Sequence, residues 1–501
     1  MAYHYIGGMR NQQFLMPVDM ADWLDEGHLS WFVIDVVDRI DTAALHVLHP
    51  NDGAGRPAYD PDMMLTLLLY AYATSTRSSR RIEQLCTTDA AYKIIAGGVV
   101  PDHATIARFL VNHEQAIHTV FVQVLSLCAQ AGLLDVSTVA IDGTKIGSDA
   151  ALDQNHTAAW IRNRVDQLLA EARETDAAED AHPCLFDLEA LPAELSTRDR
   201  RKANLTGALA RVETLEAAAT AQAEQRQAKA RAEAEQGRKL RGRKPSDPHA
   251  ALARAEADET ATRRQAHARA AKTAGSTPAE LKAAVEADPK VVEAAAATAA
   301  ARTAATQAPP AVFKANVTDP ESRCMSSATG WVQGFNVQAA VNEAQIIIAG
   351  TVSQDANDVG LYVPMVDAAH RALDAAGVTQ PIGLILADAG YWSEDNATAD
   401  GPDRLIATVK SHKLRVQARQ LGTTTGQPPD DATPAEAMEH RLRTDEGAQA
   451  YTKRSHTVEP IFSFKANHGY RQFRRRGLAA ADSEWQLIAT VHNLGKLHHA
   501  S

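Results

Sequence analysis

Two aspartates stand at the ends of short apolar runs. Asp142 closes Thr138-Val139-Ala140-Ile141 and Asp388 closes Ile382 to Ala387, with a glycine next after Asp142 and one residue further on after Asp388. An Asp ahead of a Gly at a strand end also serves as a plain turn former. Their combination with Glu459 turns both toward chemistry, because that carboxylate lies in the stretch Tyr451 to Lys465 beside Lys453 and Arg454. Three carboxylates gathered from separate elements repel one another unless they share a cation, and hard oxygen ligands select Mg²⁺ or Mn²⁺. A pair of such ions, roughly 3.5 to 4 Å apart, activates an attacking hydroxyl and stabilises the leaving oxygen of an in-line phosphodiester displacement. No GxSxG elbow, HExxH pair, P-loop or dinucleotide fingerprint competes with this reading.

Strands must present the aspartates. Thr138 to Gly143 reads as a buried strand whose carboxyl end offers Asp142, and Ile382 to Ala387 as a second that ends at Asp388. Between them, Trp331 to Val341 and Ile346 to Val352 form an antiparallel hairpin, followed by a helix over Val359 to Ala376; a weaker strand spans Leu405 to Val409. This order predicts an α/β fold with a mixed sheet covered by helices. Proline after Glu459 places that carboxylate at a helix start or kink. Asp319, before Pro320, is a rival carboxylate whose plainer reading is a turn or cap; Asp135 and Asp149 read as solvated, and His456 as a rim or packing histidine.

Residues 1–132 read as a helical block, with helices at Pro61, Ser78 to Thr87 and Asp102 to His113. After the first core strand, residues 151–311 are rich in Ala, Glu and Arg and read as a helical insertion, most of it a solvated arm or spacer. The core is thus expected to be discontinuous, from 133–150 and 312–501.

Net charge is −11 at pH 7, yet the cations are clustered. Arg238, Lys239, Arg241, Arg243 and Lys244 precede Pro245 in a segment, 237–245, that resembles an AT-hook, in which extended arginines enter a narrow A·T-rich minor groove; a solvated basic loop is the plainer alternative. Arg471, Arg474, Arg475 and Arg476 alternate with Tyr470 and Phe473 and suit phosphate contact. Arg77, Arg80, Arg81 and Arg108 fit either major-groove recognition or exposed helix faces. The stripe Trp485, Ile488, Val491 and Leu494 reads as core, bordered by His492. Cys86, Cys128, Cys184 and Cys324 are too dispersed for a disulfide framework and read as buried thiols. Neither a membrane span nor a signal-peptide pattern is found, so a cytoplasmic location is expected, with nucleoid association when bound to DNA.

Several stretches together resemble the bacterial insertion-sequence transposases of the DDE type, in the group with a Tyr, Arg, Glu, Lys signature around the last carboxylate. They are Tyr59 to Leu110; IDGTKI ending at Ile146; TDPESR from Thr318 and GWVQGFNVQ to Gln338; LADAGYW to Trp392; and Val458 to Leu497, with VEPIF, RRRGL and HNLGKL. The interval from Arg454 to Glu459 is slightly longer than in that signature and the interval to Lys465 slightly shorter. The resemblance implies a ribonuclease H-like core in which Asp142, Asp388 and Glu459 bind two Mg²⁺ or Mn²⁺ ions. It implies that Tyr451, Arg454 and Lys465 contact the transposon end or position the scissile phosphate. It further implies metal-dependent cleavage and strand transfer on double-stranded DNA, at element ends and at a target, by a homodimer or larger synaptic assembly. A related nuclease without strand transfer, or an inactive DNA-binding relative, are the alternatives.

Overall fold

Runs of β-branched and apolar residues build the sheet that carries the aspartates. The computed structural model describes residues 19–47, 58–181, 197–236, 245, 247–272, 277–309, 311–327, 330–409, 416 and 420–500. Its strands are β1 (Thr138–Gly147), β2 (Asn155–Thr157), β3 (Lys314–Asn316), β4 (Arg323–Ser327), β5 (Gly330–Asn342), β6 (Ile347–Ser353), β7 (Leu384–Ala387) and β8 (Asp403–Ile406). The chain divides into two units, Met1–Leu152 with Glu321–Ser501, and Asp153–Pro320.

In the first unit β1 is central. It runs antiparallel to β5, from Val139 opposite Asn342 to Gly147 opposite Gly334, and parallel to β7, from Thr138 opposite Leu384 to Ile141 opposite Ala387. Beyond β7 lies β8, also parallel; β6 and β4 pair with β5. This mixed sheet with its helices is the α/β, ribonuclease H-like architecture anticipated from the sequence. Two strand limits differ. β1 does not end at Asp142 but continues to Gly147, because its ladder with β5 persists after the ladder with β7 stops at Ile141. The last strand lies at Asp403–Ile406 rather than at 405–409.

One sheet face packs Ala140, Ile146, Phe335, Val337 and Ala339 into a core that also takes Trp485 and Phe473. The N-terminal helices join that same core through Met64, Leu65, Leu68, Ile82, Ile106 and Phe109. The opposite face packs Val139, Ile141 and Ala340 against Tyr362, Met365 and Leu373 of the Tyr362–Ala375 helix. Asp60 and Asp102 cap their helices as their positions suggest, accepting from Asp62 N–H and from Ala104 and Thr105 N–H.

The Leu478–Ala500 helix does more than supply the apolar stripe. Asp482 Oδ1 accepts from Val352 N–H at 2.9 Å, Gln486 donates to Gly350 O at 2.6 Å, and Asn493 both accepts from Ile347 N–H and donates to its carbonyl, at 2.9 and 2.8 Å. Polar side chains thereby satisfy the edge of β6, which otherwise would be an open ladder. Burial pushes His492 down to about 4, and its ring meets Gln345 O at 2.8 Å.

In the second unit, β2 pairs with β3, and the helices Ala158–Ala181 and Thr197–Glu235 bury Ile161, Leu205, Ala208 and Val212. The Pro248–Ala270 helix contributes Ala257 and Ala261 against Ala230 and Ala234. Most described side chains of these helices remain exposed, and the small ones let the helices approach closely enough to form local cores. Cys86 and Cys128 are buried, whereas Cys324 is exposed, contrary to expectation; Cys184 lies outside the described residues.

Candidate active site

Asp142 and Asp388 reach one place because they follow the paired residues Ile141 and Ala387 on adjacent parallel strands. Each carboxylate is oriented by the glycine after it: Gly143 N–H donates to Asp142 Oδ1, and Gly390 N–H to Asp388 Oδ1, both at 2.8 Å. Glu459 opens the short 3-10 helix Glu459–Ser463 with Pro460 in its first turn. Arg454, on the Asp445–Thr457 helix, links the groups: its Nη1 donates to Asp142 Oδ2 at 2.9 Å and its Nη2 to Glu459 Oε1 at 3.2 Å. The Arg454 side chain is only 10% exposed, so this cation is committed to the carboxylates.

Burial pushes the Asp142 carboxyl up to about 6; Arg454 pulls against the shift and the Asp388 carboxylate adds to it. Burial thus outweighs the one guanidinium at Asp142. Carboxylate oxygens are the hard donors a divalent cation takes, but with Arg454 between them the oxygens of Asp142, Asp388 and Glu459 do not all lie within 4.8 Å of one another; among the described residues only His46, Asp60 and Asp62 do.

A family model described as Transposase domain (DUF772) matches residues 18–112, and one described as Transposase DDE domain matches residues 416–498, the segment that contains Glu459. The chain belongs to the insertion-sequence DDE transposases. No curated protein and no solved structure matches it.

In this transposase Tyr451 and Lys465 touch the backbone near the two aspartates. Tyr451 Oη donates to Ala387 O at 3.4 Å, directly before Asp388, and burial pushes its phenol up to about 12. Lys465 Nζ donates to Thr144 Oγ1 and Lys145 O, both at 2.9 Å, on β1 just beyond Gly143, and burial lowers its pKa. Among the arginines, Arg471, Arg474 and Arg476 are exposed. Arg475 pairs with Glu114, and Arg476 with Asp149 at 3.0 Å, so Asp149 is an ion-pair partner rather than simply solvated. Asp135 accepts from Ser137 in a turn; His456 is exposed. Asp319 belongs to the second unit, where its N–H donates to Asn316 Oδ1 in a turn. Arg238, Lys239, Arg241, Arg243 and Lys244 lie outside the described residues.

Arg77 is not a free surface cation. Its Nη1 donates to Glu484 at 3.2 Å, with side chains 7% and 1% exposed, and its guanidinium stacks 4.4 Å above the Tyr470 ring. Arg80, Arg81 and Arg108 are exposed.

Sequence reasoning missed a second polar group beside the aspartates. Asp358 Oδ1 accepts from Asn336 Nδ2 at 2.7 Å, Gln338 Nε2 at 3.1 Å and Lys145 Nζ at 3.4 Å, while Tyr391 Oη donates to Gln338 Oε1. The available signal was two amides, Asn336 and Gln338, at alternate positions of the otherwise apolar stretch Gly334 to Val341.

Proposed function

We propose that this transposase cuts phosphodiester bonds at the ends of its element and joins the freed 3′ hydroxyl to target DNA. The observation that carries this reading is that Asp142 and Glu459 meet on one buried guanidinium, while Asp388 follows the strand paired beside the one that carries Asp142. Asp142, Asp388 and Glu459 would hold Mg²⁺ or Mn²⁺, two ions in all, which supply charge to activate the attacking oxygen and stabilise the leaving one. The protein's own part is orientation: glycine N–H groups aim both aspartates, and Tyr451 and Lys465 fix the strand positions on either side of them. In the DNA complex Tyr451, Arg454 and Lys465 contact the element end or position the scissile phosphate.

Exposed Arg471, Arg474 and Arg476, with Arg475 between them, take backbone phosphates near the site, and the basic segment 237–245 binds a minor groove. The helices of residues 1–132 recognise the terminal repeats, the discontinuous 133–150 and 312–501 form the catalytic core, and 151–311 is the insertion. The active assembly is a homodimer or larger. No helix among the described residues is long and apolar enough to cross a membrane, and we place the protein in the cytoplasm, on the nucleoid when bound to DNA.

A labelled duplex carrying the element's terminal repeat, incubated with protein and Mg²⁺ or EDTA, tests the reading. Cleavage at the repeat boundary and strand-transfer products, both abolished by EDTA and by Asp142→Ala, are expected. Binding without any cut in Mg²⁺ or Mn²⁺ would overturn it, and a fully active Glu459→Ala protein would remove Glu459 from the site.

A further inference from the structure

Asn336 and Gln338 are completely buried in β5, where two unsatisfied amides would cost several kcal/mol. They are satisfied by one carboxylate. Asn336, Gln338 and Lys145 all converge on Asp358 Oδ1; Gln338 Nε2 also donates to Asn336 Oδ1 at 3.0 Å, and its Oε1 accepts from the buried Tyr391 hydroxyl. Alternation along β1 puts Asp142 on the face of Ala140 and Ile146, whereas Gly143 and Lys145 share the face of Val139 and Ile141, where this network lies.

The network touches the same two glycines that aim the aspartates. A Cβ at Gly143 would lie 2.1 Å from Gln338 Nε2, so only glycine lets that amide cross the strand. A Cβ at Gly390 would lie 2.9 Å from Asp388 Oδ1 and 3.1 Å from Asp358 Oδ2, so the two carboxylates flank a bare backbone position. Gly143 N–H holds Asp142 and Gly390 N–H holds Asp388. We propose that Gln338 and Asp358 are positioning residues for the reaction: they fix the peptides of Gly143 and Gly390 and, through those N–H groups, the directions of the Asp142 and Asp388 carboxylates. Lys145 balances the charge of Asp358, which keeps the network from adding uncompensated negative charge beside the aspartates.

This inference rests on the reading of Asp142 and Asp388 as metal ligands, and its test separates the two. Full-length wild type, Asp358→Asn, Asp142→Asn and Asp388→Asn are compared for Mn²⁺ dissociation constant by electron paramagnetic resonance without DNA, thermal melting, DNA affinity, and single-turnover cleavage at saturating DNA. Asp358→Asn keeps the shape and an oxygen acceptor but loses the charge. It is expected to weaken Mn²⁺ binding and slow cleavage by about tenfold or more, the usual effect of losing a group that orients metal ligands, with DNA affinity unchanged. A merely structural role would lower the melting temperature and leave the Mn²⁺ affinity of the folded protein alone, and that result overturns the proposal. If Asp142→Asn and Asp388→Asn bind Mn²⁺ like wild type, the metal-site reading itself fails. If they lose Mn²⁺ while Asp358→Asn does not, only the positioning role fails. Should Asp358→Asn not fold, Tyr391→Phe, which deletes the hydroxyl on Gln338 alone, carries the same test: weaker Mn²⁺ binding supports the proposal and an unchanged constant overturns it.

Discussion

Ionised Asp142 works against the stability of the fold, and the size of that cost follows from its surroundings. Burial raises its carboxyl from 3.8 to about 6 even with Arg454 at 2.9 Å. Each unit corresponds to about 1.4 kcal/mol, so keeping Asp142 ionised in the folded state near neutral pH costs about 3 kcal/mol. The folded chain holds this proton more tightly than the unfolded chain. The favourable contribution is therefore complete below pH 3.8, falls as pH rises, and is gone above about 6. Asp142→Asn removes the charge yet keeps an oxygen that accepts from Arg454. In EDTA above pH 7 the variant is expected to be more stable than wild type by about 3 kcal/mol, a melting temperature higher by about 5 °C, with about half of the gap remaining at pH 5. Urea denaturation and thermal melting between pH 5 and 8 measure it. Saturating Mg²⁺ should shrink or reverse the gap, since only wild type gains from an ion bound to the folded state. A variant no more stable than wild type at pH 8, or a gap that does not narrow toward pH 5, would refute the reasoning.

Other substitutions probe the neighbouring features. Arg454→Gln takes away the cation that competes with a divalent ion for Asp142 and Glu459, so Mn²⁺ binding without DNA should tighten by about tenfold in a titration; weaker binding would count against this competition. Arg471→Ala and Arg474→Ala should each lower DNA affinity and reduce the slope of log affinity against log salt by about one, whatever the DNA sequence. A Cβ at Gly350 would lie 2.3 Å from Trp485 Nε1, the donor to Gln338 O, so Gly350→Ala should destabilise the protein by about 2 kcal/mol in urea melts.

The sheet was legible because its strands are apolar, β-branched runs, and the hairpin of β5 and β6 lies where alternation and a polar turn place it. The true extent of β1 was not: Gly143, Thr144 and Lys145 carry no strand signal of their own, and the pairing with β5 that holds them comes from residues nearly two hundred positions later. The aspartates could be read from their positions after apolar runs. Arg454 was visible as a cation near Glu459, but its grip on Asp142 required the fold. Asp358 gave no local signal, since its importance comes from Asn336, Gln338 and Lys145, each innocuous alone. Arg77 looked like a surface cation because Glu484, its partner, lies four hundred residues away in a stretch that reads as core helix.

The separation of β1 from β5 also shapes how the protein comes into being. During synthesis, at about 5 to 20 residues per second, β1 leaves the ribosome many seconds before β5 or β7 exists. Its central position leaves it with two unpaired edges for that whole interval, while the intervening Asp153–Pro320 unit is completed from contiguous chain. The wait does not end with β7, because the β6 edge and the sheet's apolar face still lack the Leu478–Ala500 helix. A nascent chain broken off before that helix carries both aspartates on a sheet whose β6 edge is open and whose core lacks Trp485.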